Sequence, residues 1–304
     1  MKKNRLGRSD LYVSEIGLGC MSLSRDEQES IRMIHAALDR GVNFLDTADL
    51  YRQGRNEEWV GKALKGKRHD VILATKVGNR WEPGKDGWSW DPSKAYIKEA
   101  VKGSLRRLQT DYIDLYQLHG GTLDDPIDET IDAFEELKQE GVIRCYGISS
   151  IRPNVIREYV KRSNIVSVMM QYSVLDRRPE ETVLSLLQEH GISMIARGPL
   201  AQGLLSERTL TGPAPAAGYL DYSPVEIVEL VRRLAALAGE DRSLSQIALR
   251  YPLAHPAVAA VIPGASSTEQ LLTNTGAARV PDLTQDEVKL IRSFSRANVY
   301  TLHR

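Results

Sequence analysis

Val71-Ile72-Leu73-Ala74-Thr75 is apolar along nearly its whole length and runs directly into Lys76-Val77-Gly78. A strand with one face in water alternates apolar and polar residues, whereas a parallel strand covered on its outer face stays apolar. Short runs of the same kind recur at residues 16–19, 44–46, 113–118, 145–149, 166–170, 193–196 and 258–262. Between them lie stretches whose apolar residues fall three and four apart. In 26–40 these are Ile31, Ile34 and Leu38; in 93–108, Ile97, Val101, Leu105 and Leu108; in 127–139, Ile131, Phe134 and Leu137. Ser93 can cap the second helix, and Gly41 and Gly141 follow the first and third. Residues 153–162, 179–190, 224–237, 245–254 and 268–276 read as later helices. Repeated strand–helix units predict an α/β fold, a (β/α)8 TIM barrel; a doubly wound open sheet fits the same periodicity, which does not itself show closure. Residues 3–14 read as an N-terminal β-hairpin and 284–298 as an extra C-terminal helix. No linker composition interrupts the chain, so residues 1–304 are expected to form one domain.

Length and composition fit this reading. The chain has 304 residues, and a barrel of this class uses about 250 for a single core. Lys plus Arg and Asp plus Glu both number 40, leaving a formal charge of zero. That balance lacks the cationic excess that nucleic-acid binding needs. Cys20 and Cys145 are far apart and form no CxxC pair, which fits a reducing cytoplasm. The basic N-terminus is followed by no apolar segment of the secretory type, and the uncharged run 251–268 is broken by Pro252, Pro256 and Pro263. No membrane partner is expected, and a monomer is the expected state.

Several motifs mislead. Gly17-Leu18-Gly19-Cys20-Met21-Ser22 is a partial dinucleotide-binding loop with Ser22 in place of its third glycine. Gly54 and Gly61-Lys62 have the wrong spacing for a phosphate loop, and Ala63 follows where Ser or Thr is needed. The six histidines form no cluster, so no metal site is expected. Glu135-Glu136 and Glu180-Glu181 fall inside predicted helices and read as solvated faces.

Barrel enzymes keep their chemistry at the C-terminal ends of the strands. Asn43-Phe44-Leu45-Asp46-Thr47-Ala48-Asp49-Leu50-Tyr51 carries Asp46 and Tyr51 there. The next strand delivers Lys76, and Asp111-Tyr112-Ile113-Asp114-Leu115-Tyr116-Gln117-Leu118-His119 delivers His119. Each residue alone has an ordinary structural reading. Together, on consecutive strands and at matching depth, they point to one site.

With these segments the chain resembles the aldo-keto reductases over essentially its whole length. The resemblance also rests on Gly147-Ile148-Ser149-Ser150, Gln171-Tyr172, Gly198-Pro199-Leu200-Ala201-Gln202-Gly203-Leu204-Leu205 and Ile262-Pro263-Gly264-Ala265. It implies a (β/α)8 barrel that reduces aldehydes or ketones with NADPH as cofactor, NADH binding more weakly. In that scheme Tyr51 is the proton donor. A phenol of pKa about 10 needs a cation beside it, the role of Lys76, which Asp46 holds as a buried ion pair. His119 orients the carbonyl oxygen. Ser149, Ser150 and Gln171 are implied to bind the nicotinamide carboxamide, with Ser150 replacing the more usual Asn. Arg197 stands where many members carry a stacking aromatic. Gly198, Pro199, Leu200, Gln202, Gly203 and Leu204 would lie along the pyrophosphate. Gly264, Ser266, Ser267, Gln270 and Asn274 match the adenosine-phosphate region, with Gly264 and Gln270 where many relatives carry a basic pair.

Met21 is read as part of the substrate pocket. Trp81, Trp88 and Trp90, in the loop after the third strand, are read as an apolar wall over a small aldehyde or ketone. A cofactor-sensing regulatory protein on the same fold would bind the nucleotide with little turnover. A barrel hydrolase would act without it.

Overall fold

In the computed structural model, which describes residues 1–239 and 241–304, the continuous apolar runs lie side by side as parallel strands with helices between them. The chain begins with a hairpin, β1 (Lys3–Arg5) paired antiparallel to β2 (Tyr12–Ser14). The first half of the barrel follows: β3 (Leu18–Gly19), α1 (Glu27–Asp39), β4 (Phe44–Asp46), α2 (Arg55–Ala63) and β5 (Ile72–Val77). A second hairpin, β6 (Asn79–Arg80) and β7 (Ser89–Trp90), leads to α3 (Lys94–Leu108), β8 (Ile113–Leu118), α4 (Ile127–Gln139) and β9 (Ile143–Ser149). Then come α5 (Pro153–Arg162), β10 (Ser167–Gln171), α6 (Val183–Glu189) and β11 (Ser193–Arg197). Three helices, α7 (Arg208–Thr211), α8 (Pro224–Ala235) and α9 (Leu244–Leu253), precede β12 (Val258–Ile262), α10 (Thr268–Gly276) and α11 (Gln285–Phe294).

The eight strands are ordered β3-β4-β5-β8-β9-β10-β11-β12. Bridges from Ile16 to Val261 and from Gly19 to Gly264 bring the two edges together, which decides against an open sheet. The glycines of the partial dinucleotide motif belong to this seam. A Cβ at Gly17 would stand 3.1 Å from Phe44, and one at Gly19 3.0 Å from Ile262, so the close approach of strands requires their absence. Inside, Phe44, Ile72, Leu115, Met169 and Ile195 pack with Leu6, Leu11 and Val13 of the N-terminal hairpin, which plugs that end. The opposite rim, at the strand C-termini, is left open for chemistry.

Most helix limits agree with the apolar spacing, and Ser93 caps α3 by accepting from the Tyr96 amide. Two helices lie outside the apolar periods, the four-residue α7 and the longer α2. The face that α2 buries includes Asn56 and Glu57 as well as Trp59 and Val60, so its apolar period is interrupted. Glu57 is buried because Arg107 meets it at 2.7 Å and Thr75 donates to it at 2.6 Å. The helix expected from residue 179 starts at Val183, after a tight turn at Arg178–Glu180. The last helix stops at Phe294, short of residue 298. The tryptophan-bearing segment is a short hairpin rather than an irregular loop.

Candidate active site

Register brings the strand-end residues together. Asp46 of β4 lies opposite Ala74 of β5, two residues before Lys76, and Lys76 lies opposite Gln117 of β8. Alternation along β5 turns Thr75 outward to Glu57 and Lys76 inward. His119 follows β8 directly, its amide donating to the Val77 carbonyl at 2.7 Å. Tyr51 sits on the turn after β4. That turn continues through Arg52 and Gln53, both left-handed with φ of 53° and 52°, and is pinned by Arg52 donating to the Leu23 and Ser24 carbonyls at 2.7 Å.

The Lys76 ammonium is 1% exposed and spends its three protons on Asp46 Oδ2 at 2.6 Å, the Thr47 carbonyl at 2.7 Å and the Tyr51 hydroxyl at 3.2 Å. Asp46 also accepts from Gln117 at 3.3 Å. Burial works against the charge on Lys76, but Asp46 and Tyr51 outweigh it and hold the ammonium above the usual lysine range. Burial pushes the Tyr51 phenol upward, with Lys76 opposing. The cation that the phenol needs is in place, but burial outweighs it, and with the site as it stands the phenol keeps its proton. His119 stands edge-on to Tyr51, ring centroids 5.9 Å apart. Burial, Lys76 and Arg197 push its imidazole down to about 3, so it is neutral near pH 7. Its Nδ1 is buried without a partner.

These four residues line one end of a cavity of about 1340 Å³. A pocket for one drug-sized ligand takes roughly 300–1,000 Å³, so this one has room for a long ligand beside a small one. The other sequence-predicted residues line it as well, with two exceptions. Trp81 turns away: its ring lies 5.9 Å from the Arg107 guanidinium, packed across Gly54. Leu204 packs its side chain against the apolar core. The Trp90 ring packs on Gly78 and Gly120, where an added Cβ would stand 2.6 and 3.1 Å from it, and its Nε1 donates to Asp125 at 2.9 Å. Trp88 and Met21 are exposed at the mouth.

Along the rest of the cavity, Gln171 and Arg197 sit side by side in register at the ends of β10 and β11, with Ser149 and Ser150 beside them at the end of β9. Gly198 and Gly203 are left-handed, φ 62° and 87°, and a Cβ on either would stand in open space in the cavity wall. At the far end Ser266 donates to Gln270 and Asn274 to the Gly264 carbonyl. Neutral donors, a glycine-lined stretch and the Arg197 guanidinium make a donor set that fits a nicotinamide dinucleotide. Sequence reasoning missed Glu207 and Ser245, which bond to each other across this wall at 2.5 Å, and also Asn79 and Arg152. Glu207 lies in a stretch with no strand or helix period to flag it. Among the described residues no group of His, Cys, Asp and Glu could hold a metal ion, and no helix is long and apolar enough to cross a membrane.

The model of the Aldo/keto reductase family matches residues 15–296. The chain is 59% identical to the uncharacterized oxidoreductase YqkF of Bacillus subtilis (strain 168) over 307 residues, covering 100% of each. It is 30% identical to the NADH-specific methylglyoxal reductase of Escherichia coli (strain K12), covering 98% of this chain and 99% of that one. The holo form of aldo-keto reductase AKR11C1 from Bacillus halodurans superposes with a TM-score of 0.95 at 63% identity, covering 100% of this chain and 99% of the other. Fold, strand-end constellation and whole-length relatives agree, and the chain belongs to the aldo/keto reductase family.

Proposed function

We propose that this oxidoreductase reduces aldehydes and ketones to alcohols at the expense of NADPH, with Tyr51 as proton donor. The observation that carries the reading is the unbroken chain Asp46–Lys76–Tyr51 ending at the cavity, its links 2.6 and 3.2 Å long. A nicotinamide cofactor, when bound, supplies hydride to the carbonyl carbon and so leaves negative charge on oxygen. Tyr51 meets that charge with its phenolic proton. Lys76, already donating to the phenol oxygen, stabilises the phenolate that results. Asp46 keeps the ammonium charged and aimed, and neutral His119 has the hydrogen-bonding capacity to orient the substrate oxygen.

Ser149, Ser150 and Gln171 would hold the carboxamide, and Arg197 with the 198–203 backbone the pyrophosphate. The preference for NADPH rests on the neutral donors Ser266, Ser267 and Gln270 at the N-terminus of α10, with Asn274 further along the same helix. Glu269 lines the same wall and opposes a 2′-phosphate, so the preference is modest, about 1–2 kcal/mol. A relative named for NADH specificity marks the other side of this choice. We read residues 1–304 as one domain, acting as a cytoplasmic monomer on a small-molecule carbonyl compound.

A panel of aldehydes and ketones, followed by the loss of NADPH absorbance, tests the reading. Turnover with several members, and weaker binding of NADH in parallel fluorescence titrations, are expected. NADPH binding with no turnover on any member would instead support a cofactor sensor.

A further inference from the structure

Among the described residues three arginines of the cavity wall, Arg152, Arg197 and Arg208, make no ion pair, and Arg152 is the one beside the tryptophan hairpin. Lys76 is matched by Asp46, and Glu207 by Ser245. Arg152, half-buried just after β9, lines the cavity and has no carboxylate within ion-pair distance among the described residues. Asp125, close by in the loop after β8, is already taken by the Trp90 indole and by the amide and hydroxyl of Thr122. Arg152 is nevertheless held in place, because Nη1 donates to the Gly121 carbonyl at 2.8 Å. Nε and Nη2 make no hydrogen bond, and their shared edge is the fork that grips both oxygens of a carboxylate.

Gly120 and Gly121 follow His119 in the chain, and Gly120 is where the Trp90 ring rests. Arg152 therefore stands on the substrate side of the site, next to the tryptophan wall. Arg197 is the arginine whose charge reaches Tyr51 and His119. Resting on the reductase reading above, we infer that Arg152 is a specificity-determining residue: its free guanidinium edge beside the Trp90 wall anchors a carboxylate that the substrate carries several bonds from its aldehyde. The apolar wall would cover the methylene chain between the two groups.

The test is a series of linear aldehydes ending in a carboxylate, with two to five intervening methylenes, each paired with its methyl ester. Wild-type enzyme should favour the acid over the ester at one or two intermediate lengths, and added salt should erode that preference. Arg152→Gln should lower the acid-to-ester ratio of kcat/KM by about tenfold or more, mainly through KM for the acid. Arg152→Lys should restore part of the ratio and Arg152→Glu should invert it. A wild-type ratio near one at every length overturns the inference, as does an Arg152→Gln variant with an unchanged ratio; in either case reduction of the esters leaves the reductase reading standing. Failure of wild-type enzyme to reduce either member of any pair, or any aldehyde of the general panel, overturns both.

Discussion

The Lys76 ammonium donates to the Tyr51 hydroxyl at 3.2 Å, although the two residues come from neighbouring strand–helix units and are 25 positions apart. The contact sets the state of the phenol. Burial raises its pKa and the ammonium opposes that rise, so Tyr51 holds its proton until negative charge develops next to it. The same ammonium would then stabilise the phenolate.

Replacing Lys76 with Met should lower kcat for carbonyl reduction by roughly 10²-fold or more. It would also strand the Asp46 carboxylate, which is 4% exposed, at a cost of about 3 kcal/mol in stability. Adding Asp46→Asn to Lys76→Met should recover most of that stability, read by urea unfolding, while activity stays lost. Recovery of both would mean the pair serves only the fold.

His119 should remain neutral far below the usual histidine range, since its imidazole is pushed down to about 3 by burial, Lys76 and Arg197. Unfolding returns it to about 6.5, so the unfolded chain binds more protons between these values, and stability rises as pH increases from about 3 to about 6.5 and is lost on acidification. In proton–nitrogen spectra, one of the six imidazoles should show no titration above pH 5. Its assignment follows from its loss in His119→Gln. A His119 titration near pH 6.5 would contradict the buried, cation-flanked setting.

Asp49 lies between Asp46 and Tyr51, is 2% exposed, and has one carboxyl oxygen without a partner. Burial, aided by Glu57 and opposed by Arg107, pushes its carboxyl up to about 8. A folded-state pKa above the ordinary value means that stability is present at low pH and is lost as pH rises from about 4 to about 8. Asp49→Asn should therefore raise Tm more at pH 9 than at pH 6. An equal gain at both would show that the carboxyl is not protonated in the fold.

The tryptophans should separate by position. Trp90→Ala should raise KM for bulky aromatic aldehydes several-fold and affect small aldehydes less, because the latter bury less surface on the ring. Trp81→Ala, whose side chain packs on Arg107 outside the cavity, should change both classes equally or not at all. Selective loss in Trp81→Ala and none in Trp90→Ala would reverse the assignment.

The barrel and the four strand-end residues were legible because apolar runs and strand ends are local signals. Val71 to Thr75 announces a covered strand, and Lys76 then falls at its end by counting. What stayed hidden depends on tertiary pairing. The α2 helix buries Glu57 against Arg107, some fifty residues on, and no local period can register that. Trp81 and Trp90 look alike in sequence, but the hairpin register joins Asn79 to Trp90 and leaves Trp81 on the far side. The direction of the Tyr51 pKa is hidden for a similar reason. Its cation could be read from the chain, while the depth of its burial could not.

Tyr51→Phe tests the central claim most directly, because the ring that packs remains and only the hydroxyl is removed. Carbonyl reduction under saturating NADPH should fall by roughly 10²-fold or more, while the dissociation constant for NADPH, from fluorescence titration, stays within about twofold. Near-normal turnover in Tyr51→Phe, with the cofactor still bound, would contradict the assignment of Tyr51 as the proton donor.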